Sequence, residues 1–272
     1  MIPSQVRRSF ALKGRARRLH GGSRDVYRVD DLVVKQLFPT SLETPHSLEL
    51  VPWLANILTD VSEDGFRIAR PVLSHDGKWM VADGWTVWTF VGGRQASSED
   101  VPAIIDGIQA LHRALGHAPK HPSLDRNDGP WGLAHRHCWG DRPDWIHPVL
   151  AEWVDELYAR RQSLPPTACQ LIHGDLNHEN ILVAPGLAPG FIDLTPFWAP
   201  VDFALAMFAN WIGPRRGDAT VLCFFEDIAH FDQLLIRAAI RMLLVISELR
   251  GVDGWETCSE KRAAEIVLDF VT

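Results

Sequence analysis

The hydrophobic period of this chain changes once, near Asp100, and few architectures accommodate such a switch. Before it, apolar residues gather in short runs rich in β-branched and aromatic side chains: Val26 to Val29, Leu32 to Phe38, Trp79 to Ala82 and Trp85 to Val91. Asp30-Asp31 turns the first pair. Asp83-Gly84, between the last two, is a dipeptide suited to a type I′ hairpin, whose central residues both need positive φ. After the switch, Ile104, Ile105, Ile108, Leu111 and Leu115 recur at helical spacing behind the polar entry Ser97-Ser98. Further helices are predicted at about 144–162, 200–212, 226–249 and 258–270, the last three following one buried strand pair. Strands first and helices afterwards indicate an α+β fold. Inside the β-rich half a short helix is expected from Leu48 to Leu58, with Pro52 in its first turn or kinking it. Residues 116–143 are rich in Gly, Pro, His and Trp without a period, and predict an ordered loop near a site.

Composition narrows the partners. With 272 residues, 46% of them hydrophobic, the chain can bury a large core. Its 27 basic and 34 acidic residues leave a net charge of −7, which argues against nucleic acid as the main partner. The basic stretch of Arg7, Arg8, Lys13, Arg15, Arg17 and Arg18 lacks the apolar run of a signal peptide and reads as a solvated surface leading into the first strand. Charged residues or Pro and Gly break every stretch that approaches membrane-spanning length, so the expected location is cytoplasmic, with no membrane partner. Cys138, Cys169, Cys223 and Cys258 lack paired spacing and predict free thiols. His135, His137 and Cys138 lack a fourth ligand nearby and read as loop residues rather than a zinc site.

The richest string for chemistry is Leu171-Ile172-His173-Gly174-Asp175-Leu176-Asn177-His178-Glu179-Asn180-Ile181-Leu182, followed by Phe191-Ile192-Asp193-Leu194. It reads as a turn set between apolar strands. Phosphoryl transfer from ATP needs a carboxylate at the attacking hydroxyl and oxygen ligands for Mg²⁺. Asp175, Asn180 and Asp193 supply that set, provided a neighbouring strand returns the second carboxylate.

These residues resemble the aminoglycoside phosphotransferase and choline-kinase-like family. His173-Gly174-Asp175-Leu176 with Asn180 matches its catalytic loop, and Ile192-Asp193 matches its metal-binding Asp motif. The resemblance implies a bilobal protein-kinase-like fold, with a small antiparallel N-terminal sheet lobe over residues 1–92 and a mainly helical lobe over 93–272. It also implies Asp175 as catalytic base, Asn180 and Asp193 as Mg²⁺ ligands, His173 as a brace and Asp202 as a support for the loop. Two departures are Asn177 where the family often has His, and the missing Gly after Ile192-Asp193-Leu194. Together they weaken any inference of a protein-kinase activation loop.

In the first half, Gly21, Gly22 and Ser23 resemble the family's phosphate-covering loop, and Lys35 stands where a strand would offer its ammonium to the phosphates. Glu49, in preference to Glu43, is the expected partner of Lys35. Phe90 and Val91 lie where such kinases read adenine with backbone groups. The expected reaction is ATP- and Mg²⁺-dependent transfer to the hydroxyl of a small molecule, an amino sugar, an aminoglycoside or a similar amine-bearing metabolite. Glu226, Asp227 and Asp232 are candidates for holding the amine, and Trp198 for stacking on a ring. The competing readings are a nucleotide-binding pseudokinase serving as an interaction module and a protein kinase; the oligomeric state is not encoded in any motif.

Overall fold

In the computed structural model, which describes residues 1–19, 26–37, 45–82, 84–249 and 258–271, the period switch is a change of architecture. The chain opens with α1 (Ser4–Ser9), β1 (Arg17–Arg18), β2 (Val26–Val29), β3 (Leu32–Gln36), α2 (Pro45–Asp60), β4 (Arg67–Ile68), β5 (Met80–Val81) and β6 (Trp85–Thr89). Five of these strands form an antiparallel sheet in the order β1-β2-β3-β6-β5. Asp30 turns β2 into β3 at φ 53. Gly84 enters β6 at φ 95, where an added Cβ would stand 2.0 Å from the Leu37 carbonyl oxygen. Asp83 lies outside the described residues.

The basic stretch leads into β1 as a solvated surface, with Arg8, Lys13, Arg15, Arg17 and Arg18 exposed, but it also carries an apolar face. Ile2, Val6, Phe10 and Leu12 are buried with Val29, Val34, Trp85 and Val87, so α1 docks on the sheet, and Arg7 donates to the carbonyls of Leu12 (3.3 Å) and Gly14 (3.0 Å). Apolar residues spaced between the arginines carried this signal. Helix α2 also runs longer than expected, straight through Pro52. Its buried Leu50, Leu54, Ala55 and Leu58 outweigh the roughly 3 kcal/mol that an internal proline costs.

The second half contains β7 (Arg94–Gln95), α3 (Val101–Leu115), α4 (Pro130–Trp139), α5 (Pro148–Arg160), β8 (Cys169–His173), β9 (Ile181–Val183), β10 (Gly190–Phe191), β11 (Pro196–Pro200), α6 (Asp202–Ile212), α7 (Phe231–Leu249) and α8 (Ser259–Phe270). Residues 233–246 of α7 are buried all round, and α4, α5, α6 and α8 pack against that helix. Its start at Phe231 leaves Glu226 and Asp227 in a preceding turn rather than on the helix. Helix α4 occupies part of the stretch expected to be a loop. Gly132 obscured it, yet glycine is needed there because a Cβ would come within 2.1 Å of the Asn127 carbonyl oxygen.

Of the strands around the motif string, β9 and β10 pair with each other, whereas β8 pairs with neither. β8 pairs with β11 in a two-stranded ribbon, whereas β10 joins a second sheet of order β4-β10-β9-β7, where its partner β4 is parallel. β11 escaped detection because prolines bound it, which a two-stranded ribbon tolerates. The expected lobe boundary at residue 92 falls between β6 and β7, and the second sheet takes strands from both sides of it. Among the described residues, no helix is long and apolar enough to cross a membrane.

Candidate active site

β8 delivers His173 to a tight loop whose geometry is set by side-chain amides. Asn177 Oδ1 accepts from the backbone N–H of Glu179 (2.8 Å) and Asn180 (3.1 Å), while its Nδ2 donates to Asp175 Oδ1 at 3.1 Å. Asn180 Nδ2 donates to the other carboxylate oxygen, Asp175 Oδ2, at 3.0 Å and to the Asp175 carbonyl at 2.9 Å. Asn177, a departure in sequence, is therefore the residue that organises the turn. Each oxygen of Asp175 takes one amide hydrogen, which orients the carboxylate while it remains free to accept a proton. With its Nδ2 turned to Asp175, Asn180 has its amide oxygen left for a cation.

His173 is buried and neutral. Its Nε2 donates to the Ile192 carbonyl (3.1 Å) and its Nδ1 accepts from the Asp175 N–H (3.2 Å), so the ring ties the loop to the segment entering Asp193. Burial lowers its pKa, with Asp175 opposing. A second histidine was missed by sequence reasoning: His112 of α3 accepts from the His173 N–H at 3.1 Å. Burial, then the neighbouring His173, pushes the His112 pKa down to about 3.

The expected support from Asp202 is absent. The ribbon register sets Pro196 opposite His173 and Pro200 opposite Cys169, so Asp202, at the start of α6, lies beyond the far end of the ribbon. Among the described residues it makes no hydrogen bond to the loop, and burial raises its pKa. Support comes instead from Arg241 of α7, which is 3% exposed and donates from Nη2 to the Gly174 carbonyl at 3.1 Å. Its guanidinium stands 4.8 Å from the Phe197 ring and 5.2 Å from Trp131. Burial lowers the Arg241 pKa, with Cys138 and Asp175 opposing. Arg237 and Arg241, four apart in an apolar run, are the sequence signal that announces buried guanidiniums.

On the side expected to face nucleotide, Lys35 of β3 forms an ion pair with Asp193 rather than with Glu49, which corrects the expected pairing. Glu49 Oε2 accepts from Ser123 Oγ (2.7 Å) and Arg126 (3.3 Å), groups of the segment before α4. Asp193 follows β10 at φ 56, a left-handed conformation that Asp tolerates better than most residues, and β10 pairs with β9, the strand that starts just after Asn180. The N–H of Phe90 is taken by the Asp31 carbonyl at 2.8 Å, and its ring carries the Arg28 guanidinium at 3.6 Å, so this amide is not open to a base. Val91 is buried. Gly21, Gly22 and Ser23 lie outside the described residues.

Two cavities flank Trp198 on β11. One of about 390 Å³ reaches from Asp125 and Asn127 to Phe197; the other, of about 510 Å³, continues past Trp139. Glu226, Asp227 and Asp232 are exposed and line neither, so they are not placed to hold an acceptor there. His135 and Cys138, part of the weak zinc reading, are core residues of α4: the His135 ring packs 4.6 Å from Phe197, and the Cys138 thiol donates to the His135 carbonyl.

A family model described as the phosphotransferase enzyme family, APH, matches residues 15–234. Among solved structures, the chain is similar to amicoumacin kinase hAmiN in complex with AMP-PNP, Ca²⁺ and Ami, with a TM-score of 0.64 and 15% identity over 98% of this chain and 92% of that one. A thermostable mutant of aminoglycoside phosphotransferase APH(4)-Ia gives 0.60 at 14% identity over 94% and 95% of the two chains. An ethanolamine kinase of Plasmodium vivax gives 0.52 at 14% identity over 94% and 81%. At such identities the likeness establishes a shared fold. A comparison with curated proteins finds no match.

Proposed function

Because the chain belongs to the phosphotransferase enzyme family, we propose that it transfers the terminal phosphoryl group of ATP to a hydroxyl of a small molecule, with Asp175 as the proton acceptor. The observation that carries this reading is the carboxylate of Asp175, oriented by one amide on each oxygen, in the same loop as Asn180. A base held that way can align an acceptor hydroxyl without itself being neutralised by a salt bridge. Asn180, through its amide oxygen, and Asp193 are the residues that would hold Mg²⁺, a hard cation that accepts few protein ligands alongside phosphate and water. When bound, the ion neutralises phosphate charge. Lys35 is poised to exchange Asp193 for phosphate oxygens, while His173, His112 and Arg241 keep the loop in place.

The acceptor we carry forward is an amine-bearing alcohol such as an amino sugar, an aminoglycoside or an amino alcohol. Structures of similar fold include complexes with spectinomycin and with kanamycin. In this chain the smaller cavity beside Phe197 has Asp125 and Asn127 in its wall, and an acceptor ammonium would displace Lys120, which pairs with Asp125 at 2.7 Å from a partly exposed position.

The test is ADP release from Mg²⁺-ATP across a panel of aminoglycosides, amino sugars, choline-like amines and amino alcohols. Asp175→Asn should slow turnover by roughly 10²–10⁴-fold and leave ATP affinity largely intact. Full activity in that variant would remove Asp175 from the mechanism, and failure of the wild-type chain to bind Mg²⁺-ATP would remove the reading altogether.

A further inference from the structure

The two cavities beside Trp198 share the indoles of Trp139 and Trp198 but differ in charge. The smaller has Asp125, bound to Lys120 at 2.7 Å, and Arg136, bound to Asp128 at 2.9 Å, so its ions are answered. The larger, about 510 Å³, is lined by Arg161 and Arg237 and by no carboxylate. Its volume is that of a small-molecule site.

Arg237 is 4% exposed, one helical turn before Arg241 on α7. Nη1 donates to the Gln233 carbonyl (2.8 Å) and Nη2 to the Gln162 carbonyl (2.6 Å), whereas its buried Nε has no partner among the described residues. Arg161 donates from Nη1 to the Cys138 carbonyl at 3.1 Å. The bonds to Gln162 and Cys138 cap the ends of α5 and α4, as cations at helix C-termini do, and the bond to Gln233 runs along α7 itself. Capping accounts for one of the five N–H donors of Arg237 and the bond along its own helix for a second, and these explain neither the convergence of two guanidiniums on one cavity nor the lack of an acid there. Burial, then Arg161, lowers the Arg237 pKa, which records their mutual repulsion. Cys138 opposes, and then Asp232 from an exposed position, its carboxylate accepting from Gln233. Placing a half-buried guanidinium beside a buried one is unfavourable unless an anion compensates them.

We propose that this cavity binds a small organic anion, a carboxylate or phosphate monoester carried on a planar apolar group, with the anion between Arg161 and Arg237 and the planar part against Trp139 and Trp198. Arginine forks match both anions, and the Arg237 guanidinium already stands 5.1 Å from the Trp139 ring, so aromatic and cationic surfaces are contiguous. The site lies near the loop without belonging to it: Arg237 is about 6 Å along α7 from Arg241, the arginine that holds Gly174. It is independent of the amine-recognising role given to the smaller cavity.

The experiment uses the full chain without nucleotide. Calorimetry and ligand-observed NMR would follow phenylacetate, indoleacetate and benzyl phosphate against phenethylamine and tryptamine, which have similar shape and opposite charge. At least one anion should bind and both amines should not. Arg161→Gln, at a half-buried position, should weaken anion binding by about 10–100-fold, the worth of one hydrogen bond to a charged group. Arg237→Gln should do the same if its circular dichroism matches wild type; if that variant does not fold, Arg161→Gln decides alone. Binding by none of the anions, equal binding by the amines, or unchanged binding by Arg161→Gln overturns the proposal. Each of these results leaves the phosphotransferase reading standing, because that reading is tested separately by Mg²⁺-ATP binding in the same preparation.

Discussion

Arg241 shows how much one residue can carry. A guanidinium inside an apolar helix face is costly unless its hydrogen bonds and charge are used; here Nη1 donates to Met207 Sδ (3.5 Å), while Nη2 donates to the turn that presents Asp175. Lysine at the same position would keep the charge but lose the planar fork that reaches Gly174 between the Phe197 and Trp131 rings. Arg241→Lys is therefore expected to lower kcat by about 10–100-fold, the penalty for misplacing a catalytic group by about an ångström, with KM for ATP nearly unchanged. A variant that shifts KM for ATP as much as kcat would point to general loosening of the molecule and remove the positioning role. Circular dichroism and the melting temperature separate that case from unfolding.

At the scale of elements, the legible parts of the chain were those whose pattern is local. Helix α3 could be read from its apolar spacing and its start at Ser97 because both lie within one stretch; the structure adds a capping box in which Asp100 accepts from Ser97 N (2.9 Å) and Oγ (2.8 Å). The Asp175 to Asn180 turn was legible for the same reason, since Asp and Asn at that spacing close on each other. Helix α4 was hidden because Gly132 answers to Asn127 rather than to helix propensity. β11 was hidden by its prolines, and the misplacement of Asp202 followed, because its distance from the loop depends on a pairing register that no local pattern contains. Arg94 and the Ser97 groups hold Asp100 down to about 2, overcoming burial. A depressed folded-state pKa stabilises above the ordinary carboxylate range and ceases to do so as pH falls from about 3.8 to about 2. Asp100→Ala should thus cost about 1 kcal/mol near neutral pH, as lost caps do. The difference in melting temperature from wild type should shrink below about pH 4 and vanish near pH 2. A difference that stays constant over that range would mean that the ionised carboxylate is not what anchors the helix.

Across the whole molecule, the two halves are joined by ties of different permanence. Arg67 of β4 makes the lasting one, donating to the carbonyls of Ala188 (2.7 Å), Gly92 (3.0 Å) and Leu182 (3.2 Å) beside the parallel pairing of β4 with β10. Lys35 and Asp193, 158 positions apart, make the exchangeable one, because the Asp193 side chain is 60% exposed and an exposed pair contributes roughly 1 kcal/mol at most. Opening that pair should therefore change the stability of the nucleotide-free chain little, while removing the residue proposed to hold the metal should change the response to nucleotide greatly. At Mg²⁺-ATP concentrations about 100 times Kd, binding adds about 2.7 kcal/mol, which raises the melting temperature of a protein of this size by roughly 5–10 °C. Asp193→Ala is expected to melt within about 2 °C of wild type without nucleotide and to lose nearly all of that increment with it. A variant that keeps the full increment would show that Mg²⁺-ATP binds without Asp193, and the bridge to Lys35 would then be a structural tie between the halves rather than a nucleotide site held closed in advance.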